Sequence, residues 1–347
     1  MLRMKILIIG GTGFISSQLV HSLLQENHQV TILTRGRTRS PDLHHPKLAA
    51  LIADRRSESA MRNAVGSQTF DVVYDMVAYR PEDSRSAVEV FRGRVGRFIH
   101  CSTISVYMVS YEVQPPITED QDKGALMEFF PRNPFGMTYG IQKRACEGVL
   151  WDAHHETAFP VSMLRPIYVC GPADPSKRDY FWIERILDGG PLLVPGSGDC
   201  AFQSVYVEDV AQAFVRLLDV SPSIGEAYNI AGEEIFSLNE YLRALGRLLR
   251  RQLELTHVDQ DVFDTLPFST SPNGDVFTFN TRRTAVFSLD KIKRDLGIRF
   301  TPFTEWMPRT VEWFVRRQSD HSIGYEQRSE ELAFVRQWEE KRRARVS

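Results

Sequence analysis

Tyr139 and Lys143 stand four positions apart, the spacing that places two side chains on one face of a helix. A phenol beside an ammonium can take or give a proton at an oxygen-bearing carbon. A free tyrosine ionises near pH 10 and is a poor base at neutrality. A neighbouring cation favours the phenolate and lowers that value. Thr103 ends the run Phe98-Ile99-His100-Cys101-Ser102, and a hydroxyl there would hold the reacting substrate oxygen toward Tyr139. Chance produces Tyr-x-x-x-Lys often, and the competing reading is an ordinary surface pair. The pair gains meaning only if the chain also holds a group that moves a hydride.

The opening of the chain meets that condition. Residues 5–9 are a short apolar run, followed at once by Gly10-Gly11-Thr12-Gly13-Phe14-Ile15. Leu19, Val20, Leu23 and Leu24 then recur at helical spacing, and 30–34 reads as a second strand. A strand, glycine turn, helix and strand within about thirty residues is the setting of a dinucleotide site. Gly10 and Gly13 let the backbone approach a pyrophosphate, and the helix start offers free N–H groups. Ser16 stands where a third glycine is usual. Thr12, Phe14, Ile15 and Val77 complete the expected cofactor set. The second strand ends Leu33-Thr34-Arg35-Gly36-Arg37, with no acid to hold a ribose 2′-hydroxyl. Arg35, assisted by Arg37, suits a 2′-phosphate, so NADP(H) is favoured, with NAD(H) as the alternative. Asp54 is placed to touch the adenine amino group or to cap the helix that follows.

These residues need a scaffold that brings strand ends together. Further strands are expected at 48–53, 70–77, 97–101 and 161–164, with helices at 59–65, 85–91 and 139–155. Such alternation predicts an α/β, Rossmann-type doubly wound parallel sheet. We expect a dinucleotide-binding domain over residues 1–171. After Gly171, prolines and glycines punctuate short elements. There we expect a smaller substrate lobe over 172–330, with some segments returning to the sheet. The charged stretch 331–347 reads as a surface helix or tail.

Bulk properties narrow the function. A formal net charge of -2 provides no basic field for nucleic acid. The four cysteines show no metal-ligand spacing. No apolar run approaches a membrane span, and the first apolar run reads as a strand, so the expected location is the cytoplasm.

The ordered motifs resemble the short-chain dehydrogenase/reductase superfamily, in its extended NAD(P)-dependent epimerase/dehydratase branch. The likeness spans roughly residues 4 to 318 and carries the segments Ser102-Thr103-Ile104-Ser105-Val106-Tyr107, Tyr139-Gly140-Ile141-Gln142-Lys143, Leu164-Arg165-Pro166-Ile167-Tyr168-Val169, Val205-Tyr206-Val207-Glu208-Asp209 and Gly225-Glu226-Ala227-Tyr228-Asn229. It implies Thr103, Tyr139 and Lys143 as a catalytic triad. It also implies Gly10, Gly13 and Arg35 at the cofactor, with Pro166 to Val169 lining the nicotinamide and Lys143 bonding its ribose. A homodimer follows from the same resemblance, through the helices at 85–91 and 139–155.

Two departures bear on the substrate. Dehydratases of this branch carry Asp-Glu after the catalytic threonine, and here Ile104 and Ser105 stand there. Many nucleotide-sugar epimerases grip the diphosphate with an Arg-Asp pair, where this chain has Phe202 and Gln203. Phe202, Gln203 and Arg282 are the expected substrate contacts, with Arg283, Phe135, Tyr180, Phe181 and Trp182 as further candidates. The patterns around Arg35, Arg55 and Gln203 are closer to an atypical subgroup that includes the chloroplast stem-loop-binding proteins. Two functions therefore stand: an NAD(P)-dependent epimerase or reductase of small molecules, and a non-catalytic or RNA-binding protein on the same scaffold.

Overall fold

Alternate residues of the first strand point to opposite sides and find apolar partners on both. The structure, a computed structural model, describes residues 3–37, 45–128, 134–266, 268, 279, 282–317, 321–322 and 324–346. Strand β1 (Lys5–Ile9) sends Ile6 and Ile8 into one apolar cluster and Leu7 and Ile9 into another, as a two-residue period requires. Helix α1 (Phe14–Gln25) follows, then β2 (Gln29–Thr34), β3 (Leu48–Ile52), α2 (Glu58–Val65), β4 (Phe70–Asp75), α3 (Pro81–Phe91), β5 (Val95–Cys101) and the single turn α4 (Ser105–Met108). The long helix α5 (Pro134–Thr157) leads into β6 (Val161–Pro166) and β7 (Tyr168–Cys170).

Beyond β7 come α6 (Arg178–Asp188), β8 (Leu192–Pro195), β9 (Ala201–Phe202), β10 (Ser204–Tyr206), α7 (Val207–Arg216) and β11 (Glu226–Ile230). The last elements are β12 (Phe236–Ser237), α8 (Leu238–Leu249), β13 (Leu255–Val258), α9 (Gln260–Phe263), α10 (Asp290–Leu296), α11 (Phe303–Arg316) and α12 (Arg328–Val346). Seven strands form one parallel sheet in the order β11-β6-β5-β4-β1-β2-β3. This is the Rossmann-type architecture. The order reverses between β1 and β4, which opens a crevice at their carboxyl ends. Register aligns those ends: Ile9 lies beside both Leu33 and Asp75, and Asp75 beside His100.

The second half of the chain re-enters the first layer. β11 pairs with β6, and the buried Tyr74 hydroxyl of β4 donates to the Phe214 carbonyl oxygen of α7 at 3.0 Å. The remaining strands form three two-stranded pairs, β10 with β7, β12 with β9 and β13 with β8. The charged final helix is not wholly solvated. Val335 is buried among Leu193, Val258, Phe263 and Leu266, and the Trp338 indole donates to the His257 carbonyl oxygen at 3.0 Å. Arg328 ties its start to Asp188 and Glu331, and the buried Arg185 also meets Glu331. Among the described residues no helix is long and apolar enough to cross a membrane.

Several element boundaries differ from expectation, α5 starting five residues early among them, and two have a local reason. β4 stops at Asp75, two residues early, because the Val77 N–H turns back to the Asp75 carboxylate at 3.3 Å. α3 starts at Pro81, four residues early. Proline is pre-set for the first helical position, and Asp83 accepts the N–H groups of Tyr79 and Arg80 at 2.9 and 3.1 Å.

Candidate active site

The glycine turn forms a shallow cradle between β1 and α1. Gly10 and Gly11 take φ of +107° and +99°, where side chains are strongly disfavoured. A Cβ on Gly11 would lie 2.5 Å from Ile32 Cγ2, and one on Gly10 would lie 3.1 Å from Val77 Cγ1. Gly13 caps α1 and donates its N–H to Ser16 Oγ at 3.0 Å. Ser16 is buried, so it keeps the close packing of a third glycine and adds an acceptor. No acidic residue stands in the first turn of α1. Thr12, Phe14 and Ile15 are half-buried around the turn. The cradle therefore fits a dinucleotide pyrophosphate, with backbone N–H groups and a positive helix end toward it. Gly11→Ala is expected to lower the unfolding free energy by about 2 kcal/mol. Urea denaturation reads this, and an unchanged midpoint would show that the turn accepts a Cβ.

Arg35 and Arg37 are exposed beyond β2, on either side of Gly36 at φ +70°. Asp54 is exposed after β3, and its carboxylate accepts the Arg56 N–H at 3.0 Å. Ser57 caps α2 instead, accepting from Ala60. Ile52, which sequence reasoning missed, is 65% exposed beside Gly36. It offers an apolar face of the kind a flat base needs.

Thr103 and Tyr139 meet at the carboxyl end of β5. The Thr103 hydroxyl lies close enough to lower the Tyr139 pKa, and Thr103 Oγ1 donates to Ser105 Oγ at 3.2 Å. Tyr139 is half-buried, its ring 6.4 Å from that of Tyr79. Burial pushes its hydroxyl above the usual tyrosine range, while the nearby Thr103 hydroxyl and the Arg178 charge pull the other way. The expected direction was downward. In the protein alone the phenol is held protonated, because taking its oxygen out of water costs more than these neighbours return.

Lys143 shares the Tyr139 face of α5, yet its ammonium points into the protein. Nζ donates to the carbonyl oxygens of Ala78 at 2.8 Å and Cys101 at 2.6 Å, and lies 3.3 Å from His100 Nε2. Burial pushes the Cys101 thiol up to about 11, so it stays a thiol at neutral pH. Pro166 and Val169 are buried, and the Pro166 carbonyl oxygen accepts the Ile104 N–H at 3.2 Å. Val77 is half-buried against Gly10.

The expected substrate contacts are placed otherwise. Phe202 is buried and stacks on Phe279 with ring centroids 4.5 Å apart. Gln203 is buried too, and its amide donates to the Gly232 carbonyl oxygen and accepts the Phe287 N–H, each at 2.8 Å. Among the described residues both side chains are engaged within the lobe. Arg282 pairs with Asp264 at 2.7 Å, and Arg283 donates to the carbonyl oxygens of Ser110 and Met108. Tyr180, Phe181 and Trp182 are buried, and the Phe135 side chain lies outside the described residues. Tyr79, His100 and Arg178 surround Tyr139 and Lys143 without having been singled out. Only folding brings them there, and no spacing rule marks them.

The comparisons bear on the family and the fold. The model of the NAD dependent epimerase/dehydratase family matches residues 6–231. A chloroplast stem-loop binding protein of 41 kDa from Arabidopsis thaliana is 28% identical over 280 residues, 75% of this chain and 67% of that protein. A UDP-N-acetyl-alpha-D-glucosaminuronate decarboxylase from Bacillus cytotoxicus is 23% identical over 92% of this chain and 100% of its own length. The dTDP-glucose 4,6-dehydratase of Bacillus anthracis, solved with NAD, superposes at a TM-score of 0.71 with 19% identity, covering 92% of this chain and 98% of that one. The UDP-glucuronic acid 4-epimerase of Bacillus cereus, also solved with NAD, gives 0.68 and 19%, over 90% and 99%. These structural likenesses establish the fold, and the family match covers the glycine turn, the β5 end and the Tyr139 helix together. The chain belongs to the NAD dependent epimerase/dehydratase family, enzymes of the extended short-chain dehydrogenase/reductase type.

Proposed function

We propose that this chain is an NADP(H)-linked oxidoreductase or epimerase that acts at a hydroxyl or carbonyl carbon of a small molecule, such as a sugar, nucleotide-sugar or secondary-metabolite intermediate. The observation that carries the reading is the Thr103 hydroxyl close to Tyr139 at the carboxyl end of β5, in the same parallel sheet as the glycine turn after β1. Bound there, a nicotinamide dinucleotide supplies the hydride acceptor or donor. Thr103 holds the substrate oxygen and Tyr139 takes its proton as the carbon is oxidised, or returns a proton as a carbonyl is reduced. An epimerase runs both halves in one turnover. Ile104 and Ser105 bring no carboxylate for eliminating water, so dehydration is disfavoured.

Arg35 and Arg37 support the NADP(H) preference, since a guanidinium meets a phosphate with paired, charge-assisted bonds. Wild-type protein should bind NADPH about tenfold more tightly than NADH, and Arg35→Asp should reverse the order. Fluorescence titration with each dinucleotide reads both. Equal wild-type affinities would remove the preference, and no binding of either would remove the enzyme.

The 28% identity to a stem-loop binding protein favours a second reading, an RNA-binding role. The net charge of -2 and the intact Tyr139–Lys143 pair weigh against it. Tight, salt-sensitive binding of a stem-loop RNA, unaffected by Tyr139→Phe, would put this reading first. The homodimer is part of the leading proposal, through the outer faces of α3 and α5. A monomer mass in sedimentation would remove it.

A further inference from the structure

Arg55 is buried, while its neighbours Asp54 and Arg56 are exposed. Its guanidinium forks toward two carboxylates from different elements. Nη2 donates to Asp75 at the carboxyl end of β4. Nη1 lies 3.1 Å from Asp83 Oδ1 in the first turn of α3, paired by charge though not aligned as a hydrogen bond. Both carboxylates are anchored independently of the arginine. Asp75 accepts the Val77 N–H, and the other oxygen of Asp83 accepts those of Tyr79 and Arg80. Burial raises the pKa of Asp75, and the Arg55 charge is the largest influence against it. The turn that carries Arg55 has no such anchorage of its own. The Asp54 carbonyl oxygen accepts the Ser57 N–H at 2.9 Å, and among the described contacts the Asp54 and Ser57 side chains bond only within residues 54–60. The sheet order places β3 three positions from β4, so the chain leaving β3 passes β2 and β1 before it reaches β4. Arg55 ties that crossing down at its start.

We propose that Arg55 is a positioning residue for the dinucleotide: by bridging Asp75 and Asp83 it fixes the turn 54–57 against the end of β4 and the start of α3, and so holds the Asp54 carboxylate ready for the adenine of the cofactor. This rests on the oxidoreductase reading and concerns its cofactor half alone. A buried ion pair is often no more stabilising than apolar side chains of the same volume. What this one supplies is geometry, since a planar guanidinium meets two acceptors at set angles and a flexible apolar chain does not. Asp54 is one residue away, and one of its oxygens accepts the Arg56 N–H at 3.0 Å. The other oxygen has no partner among the described residues and suits a donor such as an adenine amino group. A turn already held in its bound geometry loses less entropy when the ligand arrives. Thr103 and Tyr139 stand at the end of β5 and on α5, outside this turn, so Arg55 acts on binding and not on the proton transfer.

The test uses Arg55→Met and Asp54→Ala, singly and together, in the full chain. The ligands are ADP-ribose and whichever of NADPH and NADH binds wild-type protein more tightly. Each single change should raise the dinucleotide Kd about tenfold. The two together should raise it no further, because both remove the same contact. ADP-ribose, which carries the adenine but no nicotinamide, should lose the same factor. An unchanged Kd in either single variant, a loss of about a hundredfold in the pair, or a loss confined to the full dinucleotide would each overturn the proposal. Arg55→Met leaves two buried carboxylates without their cation, so Arg55→Met with Asp75→Asn serves as the second variant. Asparagine keeps an oxygen for the Val77 N–H and removes one of the stranded charges. Its thermal midpoint should lie above that of Arg55→Met, while its dinucleotide Kd stays about tenfold above wild type. Affinity that returned to wild type along with the stability would make Arg55 a structural residue only. Absence of dinucleotide binding by wild-type protein would sink the oxidoreductase reading itself, and this proposal with it.

Discussion

Tyr139→Phe should lower kcat/KM by about a thousandfold while leaving dinucleotide affinity and the unfolding midpoint close to wild type. Phenylalanine keeps the ring against Tyr79 and removes only the hydroxyl. Thr103 keeps its bond to the Ser105 hydroxyl, so its buried oxygen is not orphaned. The change therefore isolates proton transfer. The pH dependence follows from the environment of Tyr139. Burial raises its pKa, opposed by Thr103 and Arg178. Reduction of a carbonyl needs the protonated form, which persists through neutrality, so its rate should be nearly flat from pH 6 to about 9. Oxidation of an alcohol needs the phenolate, so its rate should climb over the same interval. Measuring both directions against pH in wild-type and variant protein checks the assignment. Retention of more than about a tenth of the activity in Tyr139→Phe would remove Tyr139 as the acid/base.

The same residues show what the sequence could and could not reveal. β1 was legible because four consecutive apolar residues against two glycines and a helical repeat leave few alternatives. The glycine turn was legible because positive φ restricts the residue type. The side-chain partners were not. Lys143 and His100 are 43 residues apart in sequence, and each is unremarked in its own segment. The partners of Phe202 and Gln203 were not legible either. The Gln203 amide serves Gly232 and Phe287, 29 and 84 residues onward, and only the folded lobe brings these groups to it. The direction of the Tyr139 shift was missed for a related reason. Helical spacing shows that Lys143 shares a face with Tyr139, but not that its ammonium turns away to backbone carbonyls.

Arg165 extends this point to stability, and its partner Glu147 gives the largest stability effect expected here. A strand arginine reads from sequence as a surface residue, yet Arg165 is 0% exposed. It forks onto both carboxylate oxygens of Glu147 on α5 at 2.9 and 2.6 Å. It also donates to Asp122, to the Glu119 carbonyl oxygen and to the Tyr107 hydroxyl, which itself donates to Asn229 on β11 at 2.7 Å. Burial works against its charge, but Glu147, Tyr107 and Asp122 outweigh that and raise its pKa. The network joins α5, which carries Tyr139 and Lys143, to the β6 strand that ends at Pro166. Glu147→Leu leaves a buried guanidinium short of its main counter-charge, at a cost of about 3–5 kcal/mol. For a chain of this size that lowers Tm by about 5 °C. Removing both charges, with Arg165→Leu added, should recover part of the loss, because no uncompensated ion remains. Thermal unfolding of the two singles and the double gives the coupling. If the double is as unstable as the sum of the singles, the pair has no special interaction. A measurable fall in kcat for Glu147→Leu below its melting temperature would show that the pair also sets the height of Tyr139 against Thr103.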